Sequence, residues 1–456
     1  MKKTDVLIIG GSAAGLVSAL AAKSHYPEKK VTMVRKDEKA VIPCGIPYIF
    51  GTLNSSDEDI LPDAGLEKAG INILINEVVS IKNQDKICLL KNGDEIAYDK
   101  LILATGSVPN IPSWLEGATL DNVFTVPKSK VYLDAMHEKL KSFQNIVVIG
   151  AGFIGVEMSD ELNKKGKNIT LVEVLPNILR MAFDSELAVE AEKILKERGV
   201  NVITNNGVKA IVGKNKVEGV KIDSKDENDI IKADAVILAM GYLPNTELAK
   251  NTELTFNRDG FIKVDEYMRT DDPDIFAVGD CAEKRDFFTR KRSKAMLASI
   301  ACAEARVAGM NLYKLSTLKT IGGTIAIFST ALNGTGFGAA GLTETAARKE
   351  GFDIVTGTFS GIDRHPGILH GSSKQIVKLI VAKESGILLG GEVMGGSSIG
   401  ELINIIGLII QNKMSITAIL TSQIGTHPLL TASPAAYPLI KAAEVVANKL
   451  WNKLNA

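Results

Sequence analysis

One local pattern occurs twice in this chain, and it decides most of what the chain can fold into. Val6-Leu7-Ile8-Ile9 is a short unbroken apolar run, the mark of a strand buried on both faces. It leads into Gly10-Gly11-Ser12-Ala13-Ala14-Gly15, then an Ala/Leu-rich helical stretch, then a second apolar run at Val31-Thr32-Met33-Val34. Farther along, Ile146-Val147-Val148-Ile149 leads into Gly150-Ala151-Gly152-Phe153-Ile154-Gly155. A helical pattern to about Lys165 follows, then Ile169-Thr170-Leu171-Val172-Glu173. Each is a strand–glycine turn–helix–strand unit. Two of them predict an α/β chain with two Rossmann-like dinucleotide-binding domains.

The second copy carries the full fingerprint. Gly150 suits the tight turn, Gly152 lets backbone approach a pyrophosphate, and Gly155 lets the helix pack on the strand. The helix N-terminus then offers unpaired N–H groups to the phosphates. Glu173, ending the next strand, accepts hydrogen bonds from a ribose diol and repels a 2′-phosphate, so NADH is expected in preference to NADPH. The first copy departs in two places. Ser12 replaces the middle glycine, which a small side chain tolerates, and the strand ends on Arg35-Lys36 where an acid is usual. Asp37 or Glu38 is left to supply the ribose contact.

At 456 residues the chain is long enough for about three domains. Its 53 basic and 53 acidic side chains cancel, leaving no electrostatic footprint for nucleic acid or an anionic membrane. Met1-Lys2-Lys3 and the apolar stretch after it superficially resemble a secretory leader, but Asp5, Gly10, Gly11 and Gly15 interrupt it. The later apolar run at 402–410 contains Asn404 and Gly407 and is too short to span a bilayer. Cys44, Cys88, Cys281 and Cys302 are too few and scattered for a disulfide framework and form no Cys-x-x-Cys pair. A reduced, cytoplasmic protein with no metal site is expected. Beyond about residue 322, Gly-rich stretches precede strand-like segments at Ile376–Val381 and Ile387–Val393, an amphipathic helix near Ile399–Asn412 and a Pro-rich region at His427–Pro438. This reads as a separate α+β domain.

Two nucleotide folds followed by an α+β domain resemble the pyridine nucleotide–disulfide oxidoreductases. Leu101-Ile102-Leu103-Ala104-Thr105-Gly106 looks like the family's crossover into the NAD domain, and Val236-Ile237-Leu238-Ala239-Met240-Gly241 like the return. Asp274-Ile275-Phe276-Ala277-Val278-Gly279-Asp280 resembles its second flavin motif, in which the aspartate holds the ribityl chain. The resemblance implies FAD on the first unit and a nicotinamide dinucleotide on the second. It implies interleaved limits: a flavin domain at 1–112 and 245–322, an NAD domain at 113–244, and a dimerisation domain at 323–456 in a homodimer.

Cys44, in Val41-Ile42-Pro43-Cys44-Gly45-Ile46-Pro47-Tyr48, sets the subgroup. Disulfide reductases of the family carry a second cysteine five residues on; here that position is Ile49. What fits is a single-cysteine cycle through a mixed disulfide or a sulfenic acid. Pro47 suits a helix start, whose dipole is expected to lower the Cys44 pKa; the other three cysteines read as core residues. Single-cysteine members resemble coenzyme A-disulfide reductases, NADH oxidases and peroxidases, and polysulfide reductases. Peroxidase-type members commonly carry a histidine in the first glycine turn; Ala13-Ala14 here shifts weight toward disulfide or polysulfide reduction. Dioxygen as acceptor, or electron transfer to a protein partner without a reactive cysteine, are the other readings. His427-Pro428 is similar to the family's catalytic His-Pro, where the histidine comes from the other subunit and protonates the leaving thiolate. No acid between 426 and 438 orients it here, and Tyr437 is a second candidate. Arg364-His365 reads as a substrate entrance or a solvated loop. Arg290-Lys291-Arg292 reads equally as a phosphate contact or an exposed helix start.

Overall fold

The computed structural model describes residues 1–223, 229–316, 318 and 321–452. In it the two repeats become two parallel sheets. Strand Lys2–Ile9 sits between Val31–Arg35 and Glu95–Leu103, parallel to both. Val6, Leu7 and Ile8 are therefore covered on both faces, which is why this run shows no alternation. Asn72–Ile75 extends the sheet on one side; Ile87–Leu90 and Val78–Lys82 extend it antiparallel on the other. Late in the chain, Ile275–Ala277 returns to pair parallel with Leu101, Ile102 and Leu103. The alanines of helix Ala13–His25 admit helix Ala298–Met310 at close range: a Cβ on Gly309 would lie 2.7 Å from that of Ala21.

The second sheet runs Asn201–Ile203, Asn168–Val172, Asn145–Ile149, Ala235–Leu238, Val123–Thr125, parallel throughout. The chain crosses between the sheets twice, and the crossings pair as an antiparallel ribbon of Ser107–Pro109 and Tyr242–Pro244. Thr105 Oγ1 donates to the Asn245 carbonyl, and Asn245 Nδ2 to that of Thr105, at the first-sheet end of the ribbon.

The third unit is a five-stranded antiparallel sheet ordered Phe328–Leu332, Thr335–Gly341, Leu388–Gly395, Lys374–Ala382, Ile354–Ile362. Helices Ile399–Gln411 and Pro438–Trp451 pack on it. Leu402, Ile403, Ile406 and Ile410 form the buried stripe of the first. Edge-to-face contacts among Phe153, Phe183, Phe328 and Phe337 lock this sheet to the second unit. Among the described residues no helix is long and apolar enough to cross a membrane.

Pro47 opens a helix beside Cys44, though a short 3-10 one, Ile46–Phe50, that ends at Gly51, where a Cβ would lie 2.3 Å from Glu161 Oε2. One local expectation fails. Arg290-Lys291-Arg292 does not begin a helix. It closes a hairpin between Lys284–Arg285 and Arg292–Ser293, and the next helix starts at Ala298. Asp286 decides this, its Oδ1 accepting from Phe288 N, Thr289 N and Thr289 Oγ1.

Candidate active site

Both glycine turns are closed to side chains where the chain doubles back and open where a ligand would lie. Gly10 has φ +118°, and a Cβ there would meet the Ala104 carbonyl at 2.1 Å. Gly15 would strike the Gly10 carbonyl at 1.9 Å, and Gly155 that of Gly150 at the same distance. Gly150 itself has φ +98°. A Cβ on Gly152, by contrast, meets nothing within 4 Å: it faces free space. Ser12 and Gly152 precede the two helices without any side-chain cap, whereas Thr343 and Ser415 cap theirs with their own hydroxyls. The first-turn N–H groups are thus left for an anion, and the two cradles fit the pyrophosphates of two dinucleotides.

The ribose ends differ. Glu173 is fixed at the mouth of the second turn, Oε2 accepting from Ala151 N at 2.7 Å and Oε1 from Leu175 N at 2.9 Å. In the first unit the Arg35 stem lies beneath the turn, its Cδ 2.4 Å from where a Gly11 Cβ would be. Its guanidinium makes a bidentate pair with Asp63 at 2.6 Å and donates to the Glu38 carbonyl. Lys36 pairs with Glu77 at the surface. Both cations are thereby neutralised within their own unit. Asp37 is hydrogen-bonded to Ser129, and burial pushes its carboxyl above the usual range.

Ala14 and Gly279 lie against each other: a Cβ on Gly279, at φ +73°, would sit 3.0 Å from that of Ala14. The Gly279 N–H donates to buried Glu304 at 2.8 Å. Gly106 and Gly241, after Ala104-Thr105 and at the return crossing, both have positive φ and open surroundings. Asp280 Oδ2 accepts from Ser107 Oγ and Lys128 Nζ, each at 2.7 Å. Those two bonds hold its carboxyl below the usual range despite burial.

Of the four cysteines Cys44 alone is exposed, while Ile49 is wholly buried. Gly45 must lack a side chain because the buried Asp59 carboxyl lies 1.8 Å from where a Cβ would stand. Burial alone pushes Asp59 up to about 6. Thr52, just past the 3-10 turn, donates through N and Oγ1 to Glu161 at 2.6 and 2.7 Å, tying the cysteine segment to helix Phe153–Lys164. One turn earlier on that helix, Glu157 accepts from Thr330 Oγ1 of the third unit at 2.6 Å and is pushed by burial up to about 7. The expected depression of the Cys44 thiol is reversed. Desolvation by its surroundings raises it, Glu157, Asp59 and Asp280 add to the rise, and Lys128 opposes them. A single 3-10 turn has little dipole to set against three carboxylates.

A cavity of about 290 Å³ brings the three units together between Gly152, Phe153 and Glu173, Met296 and Leu297, and Phe328. His427 stands apart in an exposed loop, its Nδ1 accepting from Leu429 N at 3.3 Å. Tyr437 is half-buried on the core of the third unit, and burial raises its phenol. Among the described residues no hydrogen bond or ion pair joins either to Cys44 within one chain. The Arg364–His365 segment is not a free solvated loop. Arg364 Nη1 donates to the Leu430 carbonyl at 3.3 Å and His365 N to that of Pro428 at 3.2 Å, with His365 Nδ1 3.0 Å from the Thr431 oxygen. Lys128, Ser107, Glu157 and Thr330 were not marked by any motif. The one available signal was Glu157 and Glu161, acids one turn apart on a helix face that is otherwise core.

A family model described as pyridine nucleotide-disulphide oxidoreductase matches residues 4–305, and the dimerisation domain of that family matches residues 327–436. The chain is 32% identical over 469 residues to the NADH oxidase of Methanocaldococcus jannaschii, with 98% of this chain and 99% of that protein covered. It is also 32% identical over 451 residues to the NAD(P)H coenzyme A polysulfide/persulfide reductase of Pyrococcus horikoshii, covering 97% and 98%. Among solved structures, a NAD-dependent persulfide reductase from A. fulgidus superposes with a TM-score of 0.89 at 30% identity, covering 98% of this chain and 84% of that one.

Proposed function

The chain belongs to the pyridine nucleotide-disulphide oxidoreductase family, and from that premise we propose that it uses NADH to reduce a low-molecular-weight disulfide or a polysulfide through Cys44 alone. FAD and NAD(H) are its cofactors. Coenzyme A disulfide is one such substrate, in keeping with the P. horikoshii relative. One observation carries the reading. Cys44 is the exposed cysteine, and the charges acting on its thiol come from two units: Glu157 and Lys128 from the second, Asp280 and Asp59 from the first.

Bound FAD supplies two-electron exchange between nicotinamide and sulfur. The chain's residues do the rest. The turn Gly150–Gly155 and Glu173 hold the nicotinamide dinucleotide, and Asp280, steadied by Lys128 and Ser107, takes the ribityl chain. Cys44 thiolate attacks one sulfur of the substrate, forming a mixed disulfide and expelling the other sulfur as thiolate. His427, presented by the second subunit of a homodimer, gives that thiolate its proton, with Tyr437 as the second candidate. Two electrons originating from NADH and one proton from solvent then cleave the mixed disulfide, returning Cys44 as thiolate and releasing the second product as a thiol. In this reading residues 1–112 and 245–322 form the flavin domain, 113–244 the NAD domain and 323–456 the dimerisation domain. The setting is a reducing cytoplasm.

Anaerobic stopped-flow reduction by NADH of wild type and Cys44→Ser tests this. The wild type is expected to develop a long-wavelength absorbance band after two electrons that the variant lacks, and Cys44→Ser is expected to lose disulfide and polysulfide turnover. Bleaching without that band in both proteins would sink the single-cysteine mechanism and leave an electron-transfer flavoprotein serving a protein partner. The resemblance to an NADH oxidase supports a second reading with dioxygen as acceptor. There Cys44→Ser continues to consume NADH and releases peroxide.

A further inference from the structure

Arg290-Lys291-Arg292 has no part in the chemistry above, yet the fold gives it company. Its hairpin and residues 258–263 line a cavity of about 730 Å³ walled by seven basic side chains and two carboxylates. The chain as a whole is balanced, with 53 charges of each sign, so this excess is local. Both carboxylates are already engaged. Asp259 pairs with Lys294 at 2.9 Å, and Glu283 accepts from Asn257 Nδ2 at 2.8 Å with Arg285 at 3.5 Å. Lys291 is drawn off to Glu350, outside the cavity. Arg258, Lys263 and Arg292 form no ion pair among the described residues.

The hairpin register is a second, independent sign. Arg285 lies directly opposite Arg292 in a ladder of two residue pairs, where facing like charges repel. The backbone of the two neighbouring turns is held in place. Asn257, 9% exposed, pins one turn by accepting from Asp259 N at 2.9 Å and Phe261 N at 3.2 Å. Asp286 pins the other through its three bonds to Phe288 and Thr289. Exposed, unpaired guanidinium and ammonium groups lining one concave space suit a multiply charged phosphate ligand. We infer that this cavity binds a small anion carrying two or more phosphate groups, either a nucleoside diphosphate or an inorganic polyphosphate.

The test is calorimetric titration of the FAD-loaded enzyme with sodium tripolyphosphate and, separately, ADP, with NAD⁺ kept saturating so that the Gly150–Gly155 turn is occupied. One site per subunit is expected, with affinity falling as salt rises. Lys263→Gln with Arg292→Gln should weaken it by about tenfold or more, as should Arg258→Gln with Lys263→Gln. Tripolyphosphate binding as tightly as ADP identifies the phosphate chain as the ligand; tighter ADP binding identifies a nucleotide. Unchanged flavin content and thermal midpoint in the variants show the fold intact. Absence of binding by both anions, or equal affinity in wild type and both double variants, overturns the inference.

Discussion

Glu157 is the charge acting most strongly on the Cys44 thiol, and its own carboxyl, pushed by burial up to about 7, loses its proton near neutral pH. Below that pH it is neutral and the thiol is spared its field; above, it is ionised and holds the thiol up. Glu157→Gln keeps a partner for Thr330 and removes the charge. The alkylation rate of Cys44 against pH should shift to lower pH in the variant, and wild-type turnover should show a break near neutral pH that the variant lacks. An unmoved alkylation profile would mean that Glu157 does not act on Cys44. Linkage gives a second readout. A raised carboxyl stabilises the fold most below its ordinary pKa, and that contribution is lost as pH rises through about 7. The variant should therefore melt above wild type at alkaline pH and lose that advantage in acid. Glu173 offers a separate check, since both its oxygens are fixed by backbone N–H groups beside the second turn. Glu173→Gln preserves an acceptor but not the repulsion of a 2′-phosphate. The NADH-to-NADPH ratio of flavin reduction rates should fall by about tenfold, equivalent to ~1.4 kcal/mol. An unchanged ratio would put nucleotide selectivity elsewhere.

Strands and helices place these residues only after the units dock, and docking rests on a buried charge cluster. Lys378 in strand Lys374–Ala382 is 5% exposed and meets Asp184 at 3.1 Å, Glu344 at 3.0 Å and Glu392 at 3.8 Å, joining the second unit to the third. Against the cost of burial, the Thr345 hydroxyl and N–H and the Lys378 ammonium hold Asp184 down to about 2. Burial and then the Asp184 charge push Glu392 up to about 8. Lys378→Met strands these acids without a cation, at a cost of about 3–5 kcal/mol. Asp184 stabilises the fold above its ordinary pKa, and that contribution is lost as pH falls toward 2. The gap in thermal midpoint between wild type and Lys378→Met should accordingly be wide at neutral pH and close as the acids protonate. A difference in unfolding free energy below about 1 kcal/mol at neutral pH, from denaturant titration, would show the cluster to be incidental. The same scale explains what was legible in the sequence. The two strand–turn–helix units and Gly279-Asp280 could be read because each is a contiguous run of residue types, whatever distant partners it then meets. The basic hairpin was open to reading, because the Asp286 side chain turns the chain through the N–H groups of Phe288 and Thr289; the end of the 3-10 turn after Cys44 was not, since it meets distant Glu161. Lys128 and Glu157 escaped for a related reason: they belong to the site only once separate sheets face each other.

At the scale of the whole molecule, one chain leaves its third unit uncovered. Ile362, Ile368, Leu429 and Leu430 are exposed, Ile368 at 92%, around the joined loops that carry Arg364, His365 and His427. Apolar side chains gathered beside polar loops suit a surface that a second copy covers, and residues 327–436 match the family's dimerisation domain. If His427 serves the Cys44 of the other subunit, each site is built from two chains, and this can be decided without knowing the natural substrate. Cys44→Ser and His427→Ala are each expected to be nearly inactive with a model disulfide as homodimers. Dissociated together and reassociated at equal amounts, they form mixed dimers in which one site has lost both groups and the other retains both. Random pairing makes half the dimers mixed, so activity should return to about one quarter of wild type. Recovery requires subunit exchange, which differently tagged chains would verify by co-purification. Co-purified mixed dimers without recovered turnover would place the proton donor within the same chain as the thiol, and Glu157 would then be the first residue to substitute.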